Sequence, residues 1–287
     1  MEEKLVLYEK LGHIAMITLN RHKAINAITA EMIDQLKEAI DMVAEDKNVK
    51  VAVLFGKGEK GFCAGYDLNV SSGMKYDLMD RIARYKFENE LYLKIWDCPK
   101  PFIGAIHGHV IGGGTALAFA CDMVIAADDT KFGNAEVGYG LNYSVVFPID
   151  VYKVPQNKLR EFVLTGPESI DIKSAEAYGF VNKVVPLDEL EQEALKMALK
   201  VTHLNSNGLQ MSKKTLNHVY ELMGFKTATE FAQNAMALTR LNGADDVSEK
   251  FWEIAAEKGF KEGIKWTRQR QAEEDKPVLE YIENLKK

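Results

Sequence analysis

The chain has 287 residues, 47% of them hydrophobic and 27% charged, enough to bury a sizeable core and, by length, to make one large domain with an appendage. With 36 Lys and Arg against 42 Asp and Glu the net charge is −6, which leaves no basic footprint for nucleic acid or an anionic membrane. The three cysteines, Cys63, Cys98 and Cys121, form no C-x-x-C pair, so neither a disulfide framework nor a zinc site is indicated.

The first residues, MEEKLVLYEK, carry charge and no apolar h-region, and no apolar run is long enough to span a membrane. A reducing, cytoplasmic setting is therefore expected. Residues 4–8 and 13–19 read as two strands joined by Glu9-Lys10-Leu11-Gly12. Thr29 can cap a helix that places Met32, Ile33, Leu36, Ile40 and Val43 on one face. Residues 51–55 form a continuous apolar run, as expected of a strand covered on both faces of a parallel sheet. A glycine-punctuated loop, 56–65, ends in FCAGYDL. Residues 77–96 read as a helix that Pro99 and Pro101 stop.

Residues 102–122 then read as a buried strand, a glycine-rich bend and an apolar helix. A strand at 123–127 follows, giving a strand–helix alternation that suits an α/β fold with right-handed crossovers. From residue 157 the chain reads as helical, with helices at 158–164, 174–178, 187–203, 206–222, 228–241 and 247–270, one short strand at 181–186, and a short helix after Pro277. Met211, Met223 and Met236 read as core filler. His107 and His109 flank Gly108, but strand alternation points them apart and no further ligand joins them, so no metal site is expected.

The two glycine-marked turns carry the chemistry. If their parent strands lie side by side, both turns meet at the carboxyl end of the sheet, where open α/β sheets place ligands. One N–H from each, at Tyr66 and Gly113, would then make a two-donor oxyanion hole for a carbonyl oxygen such as that of a thioester enolate. The run IGGG offers no nucleophile or metal ligand, so an acid or base must come from elsewhere.

The segments NRHKAINAIT, GFCAGYDL, AIHGHVIGGGTALAFACDMVIAADDTKFGNAE and LTGPESIDIKSAEAYGFVNKVVP together resemble the crotonase (enoyl-CoA hydratase/isomerase) superfamily. The resemblance implies an α/β fold, a spiral of ββα units over residues 1–190, and a helical region over 191–287 that mediates assembly into a homotrimer or a dimer of trimers. It implies an acyl-CoA thioester substrate and no separate cofactor, coenzyme A being part of the substrate. Carried over by position, Tyr66 and Gly113 supply the oxyanion amides. Ala24, Ala64, Asp67 and Leu68 fall where the family holds adenine and pantetheine, Lys23 is a phosphate contact, and His109 lies at the pantetheine channel. Glu136 in FGNAE matches the family's F-G-x-x-E carboxylate, expected in an apolar pocket that raises its pKa so that it works as acid or base.

The sequence also departs from the pattern. Ala116 stands where β-oxidation hydratases carry a second glutamate, and Asn142-Tyr143-Ser144 replaces their downstream glycine-rich segment. Ser144 falls where dienoyl-CoA isomerases keep an Asp. One carboxylate in place of two leaves three chemistries open: hydration or dehydration of a 2-enoyl-CoA, which leads; Δ3,Δ2-enoyl-CoA isomerisation; and hydrolysis or hydroxycinnamoyl-CoA hydratase-lyase cleavage. A catalytically silent acyl-CoA-binding protein is the rival from another class.

Overall fold

The computed structural model describes residues 4–67, 77–134, 136–142, 150–165, 171–239 and 246–285. A hairpin opens the chain: β1 (Val6–Leu11) turns at Gly12, whose φ is +60°, into antiparallel β2 (Ile14–Leu19). The strand thus runs through the residues read above as the turn, because the left-handed glycine sets the reversal and the residues before it stay paired. Four parallel strands follow in one six-stranded sheet: β3 (Val51–Gly56), β4 (Phe102–Ile106), β6 (Met123–Ala127) and β8 (Lys183–Val185).

Spatial order follows chain order, each strand lying beside its predecessor in the sheet. Between them stand α1 (Ala30–Glu45, capped by Thr29), α2 (Leu78–Asp97, capped by Asp77) and α3 (Gly113–Ala120). After β2, β3, β4 and β6 the chain adds a short extended piece before its next helix. These pieces include β5 (His109–Ile111), which pairs in parallel with β7 (Lys131–Gly133), and isolated bridges join Ile28 to Tyr66, Gly61 to Gly108 and Cys63 to Val110. Long strand, short strand and helix therefore repeat, winding the ββα spiral.

Both faces of the sheet are buried, so alternate residues of β3 serve two cores. Ala52 and Leu54 join α1, α2 and α3 on one side, and Val51 and Val53 join the other. That second core is closed by α7 (Leu190–Thr202), which lays Leu190, Ala194, Ala198 and Val201 on the sheet after α4 (Asp150–Lys153), α5 (Gln156–Leu164) and α6 (Ile172–Ala177). The chain finishes in α8 (Ser206–Leu222), α9 (Phe225–Thr239), α10 (Asp246–Lys258), α11 (Phe260–Glu274) and α12 (Lys276–Leu285). Of the three methionines read as core filler, Met236 is buried, but Met211 and Met223 are more than half exposed on α8 and just after it. No helix among the described residues is long and apolar enough to cross a membrane.

Candidate active site

Strands β3 and β4 are parallel neighbours, so the chain leaves both at the same end of the sheet. The turn after β3 is stitched to the turn after β4 by backbone bonds: Phe62 N–H to His107 O (2.8 Å), Cys63 N–H to His109 O (3.1 Å) and Ile111 N–H to Cys63 O (3.0 Å). Beyond Cys63 the pairing changes side. Ile28 N–H donates to Gly65 O (2.7 Å) and Asp67 N–H donates to Ile28 O (2.9 Å). In such a bridge the amide of the intervening residue, Tyr66, points to the opposite edge.

Gly113 opens α3, and the first helical bond runs from Ala116 N–H to Gly112 O, which leaves the Gly113 amide outside the helical ladder. A methyl group placed on Gly65 would stand 3.2 Å from the Gly113 nitrogen and 2.7 Å from Ile111 O, so the two turns are in contact. Among the described residues neither the Tyr66 nor the Gly113 amide donates to another protein group.

Glu136 approaches the same bend. Gly112 sits at φ 52° and ψ −117°, a conformation closed to L side chains, and a methyl group placed on it would meet Glu136 Oε1 at 2.7 Å. Glycine is needed there twice, for the turn and for the carboxylate. The Glu136 side chain is half-buried, its Oε2 is out of contact with solvent, and its carbonyl accepts from Leu141 N–H (2.9 Å).

A layer of buried polar groups that the sequence reading did not single out backs the bend. The Tyr66 hydroxyl lies 2.6 Å from the Tyr92 hydroxyl, which donates to Gly113 O (3.3 Å). One turn earlier on α2, Glu88 is buried in an ion pair with Arg84 (2.8 Å). Burial pushes the Glu88 carboxyl up, against the pull of Arg84. Burial likewise raises both phenols well above the ordinary tyrosine value, with the Glu88 charge adding to the effect, so both stay neutral.

Of the residues expected at coenzyme A, the described ones, Lys23, Ala24, Ala64 and Asp67, lie on the Tyr66 turn or on the 21–25 segment bonded to it. Lys23 is exposed and Ala24 half-buried on a 3₁₀ turn, His22–Ala24, and Ala64 N–H donates to Ile25 O (2.8 Å). Asp67 is buried and held by Arg21 (2.6 Å). Leu68, Tyr143 and Ser144 lie outside the described residues; Asn142 is half-buried.

Asn26, which went unremarked, is the hub of this corner. Its side chain is fully buried, accepts from Arg21 N–H (3.0 Å) and donates to Lys57 O (3.0 Å) and Phe62 O (2.9 Å). Ile25 and Asn26 both hold positive φ, 49° and 52°; for a β-branched residue such as Ile25 that is strained backbone, beside the site. His107 is buried with Nε2 2.6 Å from Gly58 O, whereas His109 is exposed, so the pair does diverge. All three thiols are free and buried; burial pushes Cys63 and Cys121 to about 12, which removes them as nucleophiles.

Two glycine-marked turns in contact at the start of a helix, with a carboxylate beside Gly112, mark the candidate site on a ββα spiral. The enoyl-CoA hydratase/isomerase family model matches residues 9–267. A probable mitochondrial enoyl-CoA hydratase of Dictyostelium discoideum is 34% identical over 223 residues, 75% of this chain and 76% of that one. The (E)-benzylidenesuccinyl-CoA hydratase of Thauera aromatica is 35% identical over 213 residues, covering 73% and 80%. The crystal structure of an enoyl-CoA hydratase/isomerase from Xanthobacter autotrophicus Py2 superposes with a TM-score of 0.88 at 30% identity, covering 93% of this chain and 98% of that one. The chain belongs to the enoyl-CoA hydratase/isomerase family and has its crotonase fold.

Proposed function

We propose that this acyl-CoA-processing enzyme adds water to, or removes it from, the C2–C3 bond of an enoyl-CoA thioester. The Tyr66 and Gly113 amides hold the thioester oxygen as it takes on enolate charge, and Glu136 moves the proton and activates the water. The reading is supported by the contact between the Gly65 and Gly113 turns, whose Tyr66 and Gly113 amides donate to no described group, and by the Glu136 carboxylate beside Gly112. Each preorganised donor of this kind is worth about 10²–10³ in rate.

Lys23, Ala24, Ala64, Asp67 and Leu68 hold the coenzyme A portion. Asp67, engaged by Arg21, acts by fixing its turn, and exposed Lys23 meets a phosphate. The chemistry needs no cofactor beyond the coenzyme A of the substrate. The assembly is a homotrimer or a dimer of trimers, a reading supported by the apolar side chains that α8, α9 and α12 leave exposed. Three buried free thiols favour a cytoplasmic setting.

Double-bond isomerisation is the second reading. It is favoured by Ala116, half-buried on α3, a helix that carries no carboxylate of its own. Acyl-CoA thioesters incubated in deuterated water, read by mass spectrometry, separate the two: gain of water marks hydration, and deuterium exchange with a shifted double bond marks isomerisation. Glu136→Gln is expected to abolish turnover and leave CoA-ester binding intact. A wild-type protein that binds the esters and turns over none of them would instead be the silent binding protein.

A further inference from the structure

An oxyanion amide at position 66 could be supplied by any residue except proline; the tyrosine side chain found there is not required for it. Its ring runs from the turn after β3 across Gly113, where a methyl group would meet Tyr66 Cε2 at 2.8 Å and Cδ2 at 3.0 Å. The ring ends at Tyr92, which reaches in from α2 and whose hydroxyl stands 3.1 Å from the same point. A carbonyl oxygen can only accept, so Tyr92 donates to Gly113 O (3.3 Å) and accepts from Tyr66 (2.6 Å). The donor chain therefore runs Tyr66 to Tyr92 to the peptide of Gly113, from one amide-bearing turn to the other.

Nothing else among the described residues joins the turns so close to the amides. Their backbone bonds end at Cys63–Ile111, three residues before Tyr66 and two before Gly113. Past that point the Tyr66 strand segment pairs with Ile28 instead, on its other edge.

We propose that Tyr66 and Tyr92 are positioning residues, their hydroxyl pair closing the open end of the two turns and fixing the separation of the Tyr66 and Gly113 amides. Neither phenol is the acid or base. Tyr92 gives its proton to a carbonyl, Tyr66 gives its own to Tyr92, and burial beside the Glu88–Arg84 pair keeps both un-ionised. The inference rests on the oxyanion reading given above.

The test is Tyr66→Phe, Tyr92→Phe and the double variant, each keeping its ring. Two readouts are needed: turnover of crotonyl-CoA, and the absorbance red shift of bound hexa-2,4-dienoyl-CoA, which reports polarisation of the thioester carbonyl. Either single variant is expected to lose about ten- to a hundredfold in kcat, with KM within about twofold and a diminished red shift. The double variant is expected to be no worse than the poorer single one, because the hydroxyls act as one unit. Undiminished kcat and red shift in the singles, even with a lowered Tm, would overturn the proposal by reducing the pair to packing. Should Tyr92→Phe fail to fold, Tyr66→Phe decides alone, since it leaves the Tyr92 bond to Gly113 in place. A wild type showing neither turnover nor red shift would overturn the oxyanion reading and this inference with it; a wild type showing both separates the two.

Discussion

The spiral and the C-terminal helices treat their apolar side chains in opposite ways. In the spiral the large apolar residues of β2, β3, β4 and β6 are almost all buried, and the chain tolerates left-handed Ile25, Asn26 and Gly112 because packed neighbours hold them. In the C-terminal region attachment weakens from α9 onward. Helix α9 is anchored by Phe225 against Trp96 (4.7 Å between ring centroids) and by buried Met236. Helix α12 buries no residue, yet it exposes Val278, Leu279, Tyr281, Ile282 and Leu285. The contrast separates what builds the site, which is local to the spiral, from surface that the single chain leaves uncovered.

The strongest way to break that contrast is to relax the most constrained point of the spiral. Gly112→Ala forces a Cβ into a positive-φ position and against Glu136 Oε1, so either the Gly113 amide or the carboxylate must move. A loss of about 10²–10³ in kcat is expected, with CoA-ester affinity retained, measured by steady-state kinetics and calorimetric titration. Activity within tenfold of wild type would show that the bend does not set the catalytic geometry.

Much of this point was legible in the sequence, because glycines in two strand-to-helix turns announce backbone donors and the elements around them follow plain periodicity. Helix α1 with its Thr29 cap, β6 and α8 fall at the residues that the pattern predicts. What escaped had no period to show. Strands β5 and β7 are three residues each, too short to alternate. Glu88 and Tyr92 occupy the inner face of α2 together with Asn89, so polar residues sit where an amphipathic pattern calls for apolar ones. Asn26 reads as an ordinary loop residue, since nothing in its type reveals three side-chain bonds and a left-handed backbone. Met211 and Met223 keep helical spacing but face outward, and spacing alone does not say which face is covered.

A smaller effect is expected at the joint between the regions. Lys213 on α8 is buried and donates to Ile95 O (3.2 Å), Lys100 O (3.2 Å) and Asp122 Oδ2 (2.7 Å), and that same oxygen accepts from Phe102 N–H (2.8 Å). One ammonium thus ties α8 to the end of α2 and to the starts of β4 and β6. Lys213→Ala leaves Asp122 and two carbonyls without their cation, a loss of about 3 kcal/mol in urea unfolding. Lys213→Met keeps the packing stem but not the charge and should be destabilising by a similar amount. A change under about 1 kcal/mol for both would mean that α8 is held by its apolar contacts alone.

The smallest effect on the fold is expected at α12, and it sharpens the contrast most. Val278 and Ile282 lie one turn apart, 60% and 43% exposed, so a double change to Asp removes no core contact of the single chain. Unfolding free energy at a protein concentration where the wild type is dissociated should move by no more than about 0.5 kcal/mol. Sedimentation is where the change should appear: if the exposed face is sealed between subunits, two carboxylates per chain buried there are unpaired, and the oligomer falls apart toward monomer. Unaltered sedimentation of a wild type that is itself oligomeric would move the proposed subunit contacts to α8 and α9, whose outward Leu222 and Phe231 are the most exposed large apolar residues of those helices.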